Sequence, residues 1–319
     1  MKTRLTEMLG IKHPVIQAPM AFAAGGALAA AATKGGALGM IGGGYGDPEW
    51  IDAQFNIAGA ARIGCGFITW RLAEQPTVLD RVLERQPAAV FLSFGNPAPY
   101  VDRILGAGAA LICQVQTLKD ARHAMDVGAQ IIVAQGGEAG GHGEGRGTLT
   151  LVPEIADEIA RRNTDIALVA AGGIADGRGL AASVMLGADG VVVGTRYWAS
   201  GEALVHPRIL ADSLHASGDD TIRTRVLDIV RGYDWPQRYS VRARKNEFVE
   251  KWHDAEAGLR RDLGPQTALW DKANTQGDPS IAAAFVGEGL GLIHNASPAE
   301  GIAAQIVEQA AALLLKAGS

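Results

Sequence analysis

Eight short apolar runs, each followed by a stretch with helical periodicity, fill the first two-thirds of this 319-residue chain. The runs are nearly continuous in Val, Ile, Leu and Ala, as expected of parallel strands that are buried on both faces. Alanine-rich amphipathic stretches such as 77–86, 118–127 and 179–186 separate them. The predicted strands are 15–19, 38–41, 63–68, 90–94, 111–115, 131–135, 167–171 and 191–194.

This alternation predicts the α/β class and, within it, a (β/α)8 TIM barrel. An open doubly wound sheet is the alternative, but such a sheet usually carries a G-x-G-x-x-G turn after its first strand. Here the first strand ends in Gln17-Ala-Pro-Met-Ala21, and the richest glycine loops follow strands six, seven and eight. Because phosphate sites of barrels commonly follow strands seven and eight, the barrel is favoured.

The character of the sequence changes after about residue 200. We expect residues 1–205 to form the barrel and residues 206–280, which carry three tryptophans and many charges, to form a C-terminal helical insertion or lid. Residues 281–319 return to the barrel pattern. There, Ser297-Pro-Ala-Glu300 places Ser at an N-cap, Pro at the first helical position and Glu two residues later. The apolar helix that follows is predicted to be the eighth barrel helix, which closes the ring.

Composition excludes several classes of protein. The net charge is -5 and the basic residues are scattered, so no clustered basic face for nucleic acid is expected. Cys65 and Cys113 lie in apolar runs and are expected to be buried, reduced thiols. The N-terminus lacks the apolar region of a signal peptide, and the apolar stretch 21–33 is too short and glycine-rich to span a bilayer. We therefore expect a cytoplasmic protein, for which a homodimer is compatible with the sequence.

Two glycine turns follow the last two predicted strands. Gly172 and Gly173 end strand seven, and Asp176 then leads into a helix, whereas Gly194 and Thr195 end strand eight. Backbone N–H groups at such turns, together with a helix N-terminus, form a site for an anion. One such turn is ordinary strand–helix chemistry, but two adjacent turns at these positions of a barrel predict phosphate binding.

His142 is the candidate catalytic residue. It follows two glycines beyond the end of strand six, on the face where barrel enzymes keep their active sites. With an ordinary pKa of about 6.5, an imidazole can accept a carbon-bound proton near neutral pH. Glu138 and Glu144 could orient this ring or lie on the loop surface, and the sequence does not choose between these roles. No spacing typical of a metal site and no G-x-S-x-G elbow is present.

Four ordered motifs resemble the nitronate monooxygenases, formerly called 2-nitropropane dioxygenases. Together they span the predicted barrel from about residue 10 to residue 200. The motifs are Ile16-Gln-Ala-Pro-Met20, Ala134-Gln-Gly-Gly-Glu-Ala-Gly-Gly-His142, Ala170-Ala-Gly-Gly-Ile-Ala-Asp-Gly-Arg-Gly179 and Gly187-Ala-Asp-Gly-Val-Val-Val-Gly-Thr-Arg196.

The resemblance implies an FMN-dependent oxidoreductase that oxidises alkyl nitronates or nitroalkanes with O2. His142 matches the catalytic histidine of that family, as a general base or a residue that positions the substrate. The isoalloxazine ring of FMN would be flanked by Pro19, Met20 and Ala21. Its phosphate group would be held by Gly172, Gly173, Gly194 and Thr195. The implied FMN-binding residues are Pro19, Met20, Ala21, Gln114, Gly140, Gly172, Gly173, Gly194 and Thr195.

One position departs from the family pattern. Gly66 stands where many members carry an Asn at the end of strand three. This departure leaves open a flavin-dependent enoyl-acyl-carrier-protein reductase, or another NAD(P)H-dependent flavin oxidoreductase. A barrel that binds a phosphorylated ligand without turnover is the alternative outside the enzymes.

Overall fold

The eight predicted strands form one parallel barrel in the computed structural model, which describes residues 1–317. Three further strands form a separate antiparallel sheet in the order β10–β11–β7. The strands are β1 (Val15–Gln17), β2 (Met40–Gly44), β3 (Gly64–Ile68), β4 (Ala89–Ser93), β5 (Ala110–Val115), β6 (Ile131–Gln135), β7 (Gly141–Gly143), β8 (Ala167–Ala171), β9 (Gly190–Val193), β10 (Thr221–Thr224) and β11 (Ser240–Arg244).

Hydrogen bonds between the first two barrel strands close the ring. Around the barrel the strand order is β1-β9-β8-β6-β5-β4-β3-β2. Leu38, which precedes β2, accepts a hydrogen bond from the Gln17 N–H at 2.9 Å and donates one to the Val15 carbonyl at 3.0 Å. The prediction of a (β/α)8 barrel is therefore confirmed.

The α-helices outside residues 206–280 alternate with the barrel strands and pack around the barrel, and five more lie within residues 206–280. They are α1 (Arg4–Leu9), α2 (Gly26–Lys34), α3 (Pro48–Ala58), α4 (Thr69–Leu72), α5 (Thr77–Glu84), α6 (Val101–Gly106), α7 (Leu118–Asp126), α8 (Thr148–Arg162), α9 (Gly177–Met185), α10 (Thr195–Trp198), α11 (Pro207–Ser213), α12 (Val226–Arg231), α13 (Glu247–Trp252), α14 (Glu256–Arg261), α15 (Leu263–Gln276) and α16 (Ala299–Ala317). Short 3₁₀ helices cover Ala98–Tyr100, Gly218–Asp220 and Glu288–Leu292. Among residues 1–317, none of the helices has both the length and the apolar character to cross a membrane.

Alternating side chains of each barrel strand serve two separate cores. In β4, Phe91 points into the barrel interior, whereas Val90 and Leu92 pack in the layer between the strands and the helices. All three side chains are almost fully buried. This double burial explains why the strands are continuous apolar runs in the sequence.

Helix α16 packs between α9 and α2 and so fills the last place in the helical ring. Glycines allow these close approaches. A Cβ atom at Gly35 would overlap the backbone oxygen of Glu300, and one at Gly177 would lie 2.5 Å from the backbone nitrogen of Ala310.

The insertion at residues 206–280 contains five helices, α11 to α15, and also the antiparallel strands β10 and β11. The expectation of a helical segment did not include these strands. They form because β7, in the loop after β6, offers an edge on which β11 pairs, with Val241 opposite His142. The insertion is thereby joined by backbone hydrogen bonds to the loop that carries the candidate base.

Candidate active site

A cavity of about 1300 Å³, part of it open to solvent, lies at the C-terminal mouth of the barrel. The structure brings all ten residues singled out in the sequence together in its wall. These residues are Pro19, Met20, Ala21, Gln114, Gly140, His142, Gly172, Gly173, Gly194 and Thr195.

The turn after β8 is formed by two consecutive glycines with positive φ. Gly172 and Gly173 have φ values of +106° and +71°, a region that residues with side chains rarely adopt. A Cβ atom at Gly172 would also lie 2.9 Å from the Oγ1 atom of Thr148. Successive N–H groups in such turns converge on one point, and the helix α9 begins four residues later. This turn therefore suits a phosphate group.

The turn after β9 leaves space on its cavity side. A Cβ atom at Gly194 would meet only the Ala18 Cβ at 3.7 Å and the Met20 Sδ at 4.0 Å. The Thr195 hydroxyl accepts a hydrogen bond from the Gly287 N–H at 3.0 Å, so its own proton is free to donate. The two turns therefore leave room for a ligand at the mouth of the barrel and offer it a hydroxyl donor.

A chain of glutamine side chains connects the barrel strands to the His142 loop. Gln114 and Gln116 each donate to the Oε1 atom of Gln135, at 3.2 and 2.8 Å. The Nε2 atom of Gln135 in turn donates to the backbone oxygen of His142 at 3.2 Å. The partner that Gln114 needs inside its apolar strand is thus another side chain.

His142 is held by Asp228, which lies on α12 in the insertion. The Nε2 atom of His142 lies 2.9 and 3.0 Å from the two carboxylate oxygens of Asp228. Only 9% and 5% of these two side chains are exposed. Because a carboxylate accepts hydrogen bonds, Nε2 carries the proton of the neutral ring, and Nδ1 is left with the lone pair. Nδ1 is therefore the ring nitrogen that can accept a proton.

Burial lowers the pKa of His142 below its ordinary value of 6.5. The hydrogen bond and the charge of Asp228 raise this pKa, while the positive charges of Arg231 and Arg223 lower it. Burial has the largest effect because it penalises the charged imidazolium. The ring is consequently neutral, and able to accept a proton, at neutral pH.

Trp235 covers one face of the imidazole. The ring centroids of Trp235 and His142 are 3.4 Å apart and the planes are inclined by 7°. The indole Nε1 donates to the Tyr45 hydroxyl at 3.1 Å, which fixes the position of the indole. Burial raises the pKa of Tyr45 to about 12, so this phenol stays protonated.

Arg231, one turn after Asp228 on α12, also lines the cavity. Its guanidinium carbon lies 4.5 Å from the ring centroid of Tyr233, 5.2 Å from that of Phe285 and 5.5 Å from that of Tyr45. Phe22 adds a fourth ring at 5.7 Å and is held at a φ of +64°. A bulky residue rarely adopts this backbone conformation, and such strain is often found at functional sites.

The two glutamates considered from the sequence do not contact the imidazole. Glu138 accepts hydrogen bonds from the Thr148 N–H at 3.0 Å and from its hydroxyl at 2.8 Å. Glu144 forms an ion pair with Arg238 at 2.6 Å. The residue that orients the ring, Asp228, was missed by sequence reasoning. A signal was present, because an aspartate within an apolar helical run is rarely buried without a partner.

The departure at Gly66 has a steric cause. A Cβ atom at Gly66 would overlap the Cβ of Pro19 and lie 2.5 Å from its Cγ. Pro19 thus occupies the space into which a side chain would project. With this backbone, an asparagine does not fit at position 66.

Comparison with known proteins identifies relatives along nearly the whole chain. A family model described as nitronate monooxygenase matches residues 2–63 and 67–309, and the gap between them includes Gly66. Nitronate monooxygenase npaC of Metarhizium robertsii is 34% identical, over 94% of this chain and 91% of that protein. A nitronate monooxygenase of Neurospora crassa is 32% identical, over 94% and 89%. Among solved structures, FabK from Thermotoga maritima has a TM-score of 0.86 at 29% identity, over 100% of this chain and 99% of that one.

Proposed function

The chain belongs to the nitronate monooxygenase family of oxidoreductases, and we propose that it uses FMN to oxidise alkyl nitronates and nitroalkanes with O2. One observation carries the proposal. His142, held at Nε2 by a buried carboxylate, lines the same cavity as the two glycine turns that suit a phosphate. A base and a cofactor site are therefore combined in one space.

The residues of the cavity fit FMN. The turns at Gly172-Gly173 and Gly194-Thr195 would hold the phosphate through backbone N–H groups and one hydroxyl. Pro19 would present an apolar surface without an N–H group to the ring system. FMN would supply the electron transfer between substrate and O2, while the protein supplies binding, orientation and electrostatics.

His142 has a different task with each form of the substrate. A neutral nitroalkane must lose a proton from the carbon next to the nitro group, and Nδ1 of His142 would accept it. The Nε2 proton would stay on the Asp228 hydrogen bond, which stabilises the imidazolium as it forms. A nitronate has already lost this proton, so with that substrate His142 would only position the anion.

An NAD(P)H-dependent flavin reductase acting on an enoyl thioester is the second candidate. The observation in its favour is the departure at Gly66, which stands where many members of the nitronate monooxygenase family carry an Asn.

Anaerobic reduction of the flavin separates the two candidates. The purified protein is mixed with a 2-nitropropane nitronate solution in one cell and with NADH or NADPH in another. Loss of flavin absorbance with the nitronate, and none with the pyridine nucleotides, is the expected result. Rapid reduction by NADPH or NADH with no response to nitronate would contradict the proposal and favour the reductase. A protein that retains no flavin at all would favour a ligand-binding barrel.

A further inference from the structure

The contacts that Arg231 makes within residues 1–317 are with aromatic rings and not with carboxylates. Its guanidinium lies 4.5 to 5.7 Å from four ring centroids and faces the cavity that His142 also lines. Ring faces stabilise a cation electrostatically, but they leave its N–H groups without hydrogen-bond acceptors. The side chain is thus held in place while its donors remain available.

Other arginines of the insertion have structural partners. Arg223 donates to the backbone oxygen of Gly137 at 3.0 Å, and Arg225 donates to the backbone oxygen of Gln237. Arg238 pairs with the carboxylate of Asp120 at 2.5 Å. Through these contacts each of the three arginines links two separate segments of the chain, which is a structural role. Arg231 has no comparable role.

The chemistry of the guanidinium limits the kind of ligand that Arg231 can bind. Its N–H groups form a rigid planar fork that matches a planar anion with two oxygens. Nitro and nitronate groups have this shape, and in a nitronate the negative charge lies on the two oxygens. A cation inside a largely apolar wall attracts such a charge more strongly than a cation in water does.

We propose that Arg231 binds the two oxygens of the substrate's nitro or nitronate group. When His142 Nδ1 takes the α-proton, the C–H electron pair forms a carbon–nitrogen double bond, and one nitrogen–oxygen electron pair moves onto oxygen. Arg231 stabilises the negative charge where it develops. The identity of the anion rests on the proposed function, whereas the anion site itself does not.

Two side chains on one short helix then have separable roles. Asp228 acts through His142 and matters only when a proton must be removed. Arg231 contacts the substrate and matters for both the neutral nitroalkane and the anionic nitronate. The helix α12 therefore supplies both the support of the base and the counter-charge of its product.

Nitrate, a planar oxyanion that is not oxidised, probes the anion site without turnover. The purified FMN-loaded protein is titrated with nitrate, and binding is followed by tryptophan fluorescence and the flavin spectrum. Arg231→Met should raise the Kd for nitrate roughly 10- to 100-fold, because hydrogen bonds to a charged group typically contribute that much to affinity. Arg231→Lys keeps the charge and should weaken binding less. The matched control is Arg225→Met. Arg225 immediately precedes α12 but lines a neighbouring cavity, so this variant should bind nitrate with wild-type affinity.

Several outcomes would overturn the assignment. Unchanged nitrate affinity in Arg231→Met would do so, and so would loss of FMN from this variant, which would place the arginine on the cofactor. If Arg231→Met does not fold, Arg231→Gln is titrated under the same criteria. Failure of the proposed function looks different, because the wild-type protein would then bind nitrate through Arg231 but would not oxidise nitronate.

Discussion

The carboxylate of Asp228 lies within 3.0 Å of the Nε2 atom of His142, although the two residues are 86 positions apart in the chain. The backbone pairing of Val241 with His142 brings the insertion onto the loop of the base. The helix α12 of the insertion then presents Asp228 to the ring. The base and its partner thus come from two different parts of the fold.

Replacement of Asp228 should affect the two substrate forms differently. Asp228→Asn removes the carboxylate that fixes the Nε2–H tautomer, so Nδ1 no longer reliably carries the lone pair. We expect kcat/KM for a neutral nitroalkane to fall about 10²- to 10³-fold, within the contribution of a general base. With the corresponding nitronate, kcat/KM should change by less than about threefold, since no proton is removed. Steady-state oxygen consumption measures both.

The control for this variant is Glu144→Gln. Glu144 lies two residues after His142 but pairs with Arg238, so both substrates should be oxidised at nearly wild-type rates. Equal losses on nitroalkane and nitronate in Asp228→Asn would contradict a role through the base and would indicate a structural one. The tautomer itself can be read from ¹⁵N histidine resonances without any substrate.

The pH dependence of nitroalkane oxidation should reflect the lowered pKa of His142. The base works only when unprotonated, so kcat/KM should be constant above the apparent pKa and fall below it. Because burial lowers the pKa, this fall should occur below pH 6.5. Asp228 raises the pKa, so in Asp228→Asn the fall should shift to still lower pH. A midpoint above 6.5 in the wild-type protein would rule out this assignment of the base.

A side chain at position 66 should destabilise the mouth of the barrel. In Gly66→Ala the added methyl group meets Pro19, and such overpacking typically costs about 1–3 kcal/mol of unfolding free energy. Gly106→Ala is the control, since a Cβ there has nothing within 4 Å. Denaturant unfolding of both variants makes the comparison. If the two variants had the same free energy of unfolding, Pro19 would be able to move away from the added methyl group without loss of stability.

A change in the turn after β8 should weaken cofactor binding. Alanine at Gly173 must adopt a φ near +71°, which costs roughly 1–2 kcal/mol, or the turn must change its conformation and redirect its N–H groups. We expect a Kd for FMN that is about tenfold higher, measured by flavin fluorescence during reconstitution. Gly201→Ala, where a Cβ meets nothing within 4 Å, should retain FMN normally. The same affinity in both variants would place the phosphate elsewhere.

The barrel could be predicted from the sequence because its signals are local. Each strand is a run of apolar residues whose two faces are both buried, and the predicted and observed bounds agree within two residues at nearly every end. The glycine turns and His142 are local signals as well, and all of them line one cavity. A strand that is buried on both faces can therefore be predicted from its own residues, without information about the strands that pair with it.

The other half of the site could not be predicted, because it depends on contacts between distant segments. Asp228, Arg231 and Trp235 lie in the insertion, whose strands β10 and β11 are only four and five residues long and carry several arginines. The pairing of β11 on β7 is specified by a non-local edge, because 97 positions separate Gly143 from Ser240. The stack of Trp235 on His142 follows only once that sheet has formed.

The small sheet of β7, β10 and β11 makes the proposed base dependent on two segments, whereas the glycine turns belong to the barrel alone. Proteins open in cooperative units of unequal stability, and we expect the insertion to open before the barrel does. Detachment of the insertion would withdraw Asp228, Arg231 and Trp235 together and leave the phosphate turns intact. The partly opened molecule would then keep its cofactor turns and His142 but lack the carboxylate that orients the imidazole, and loss of activity on heating would precede release of the cofactor.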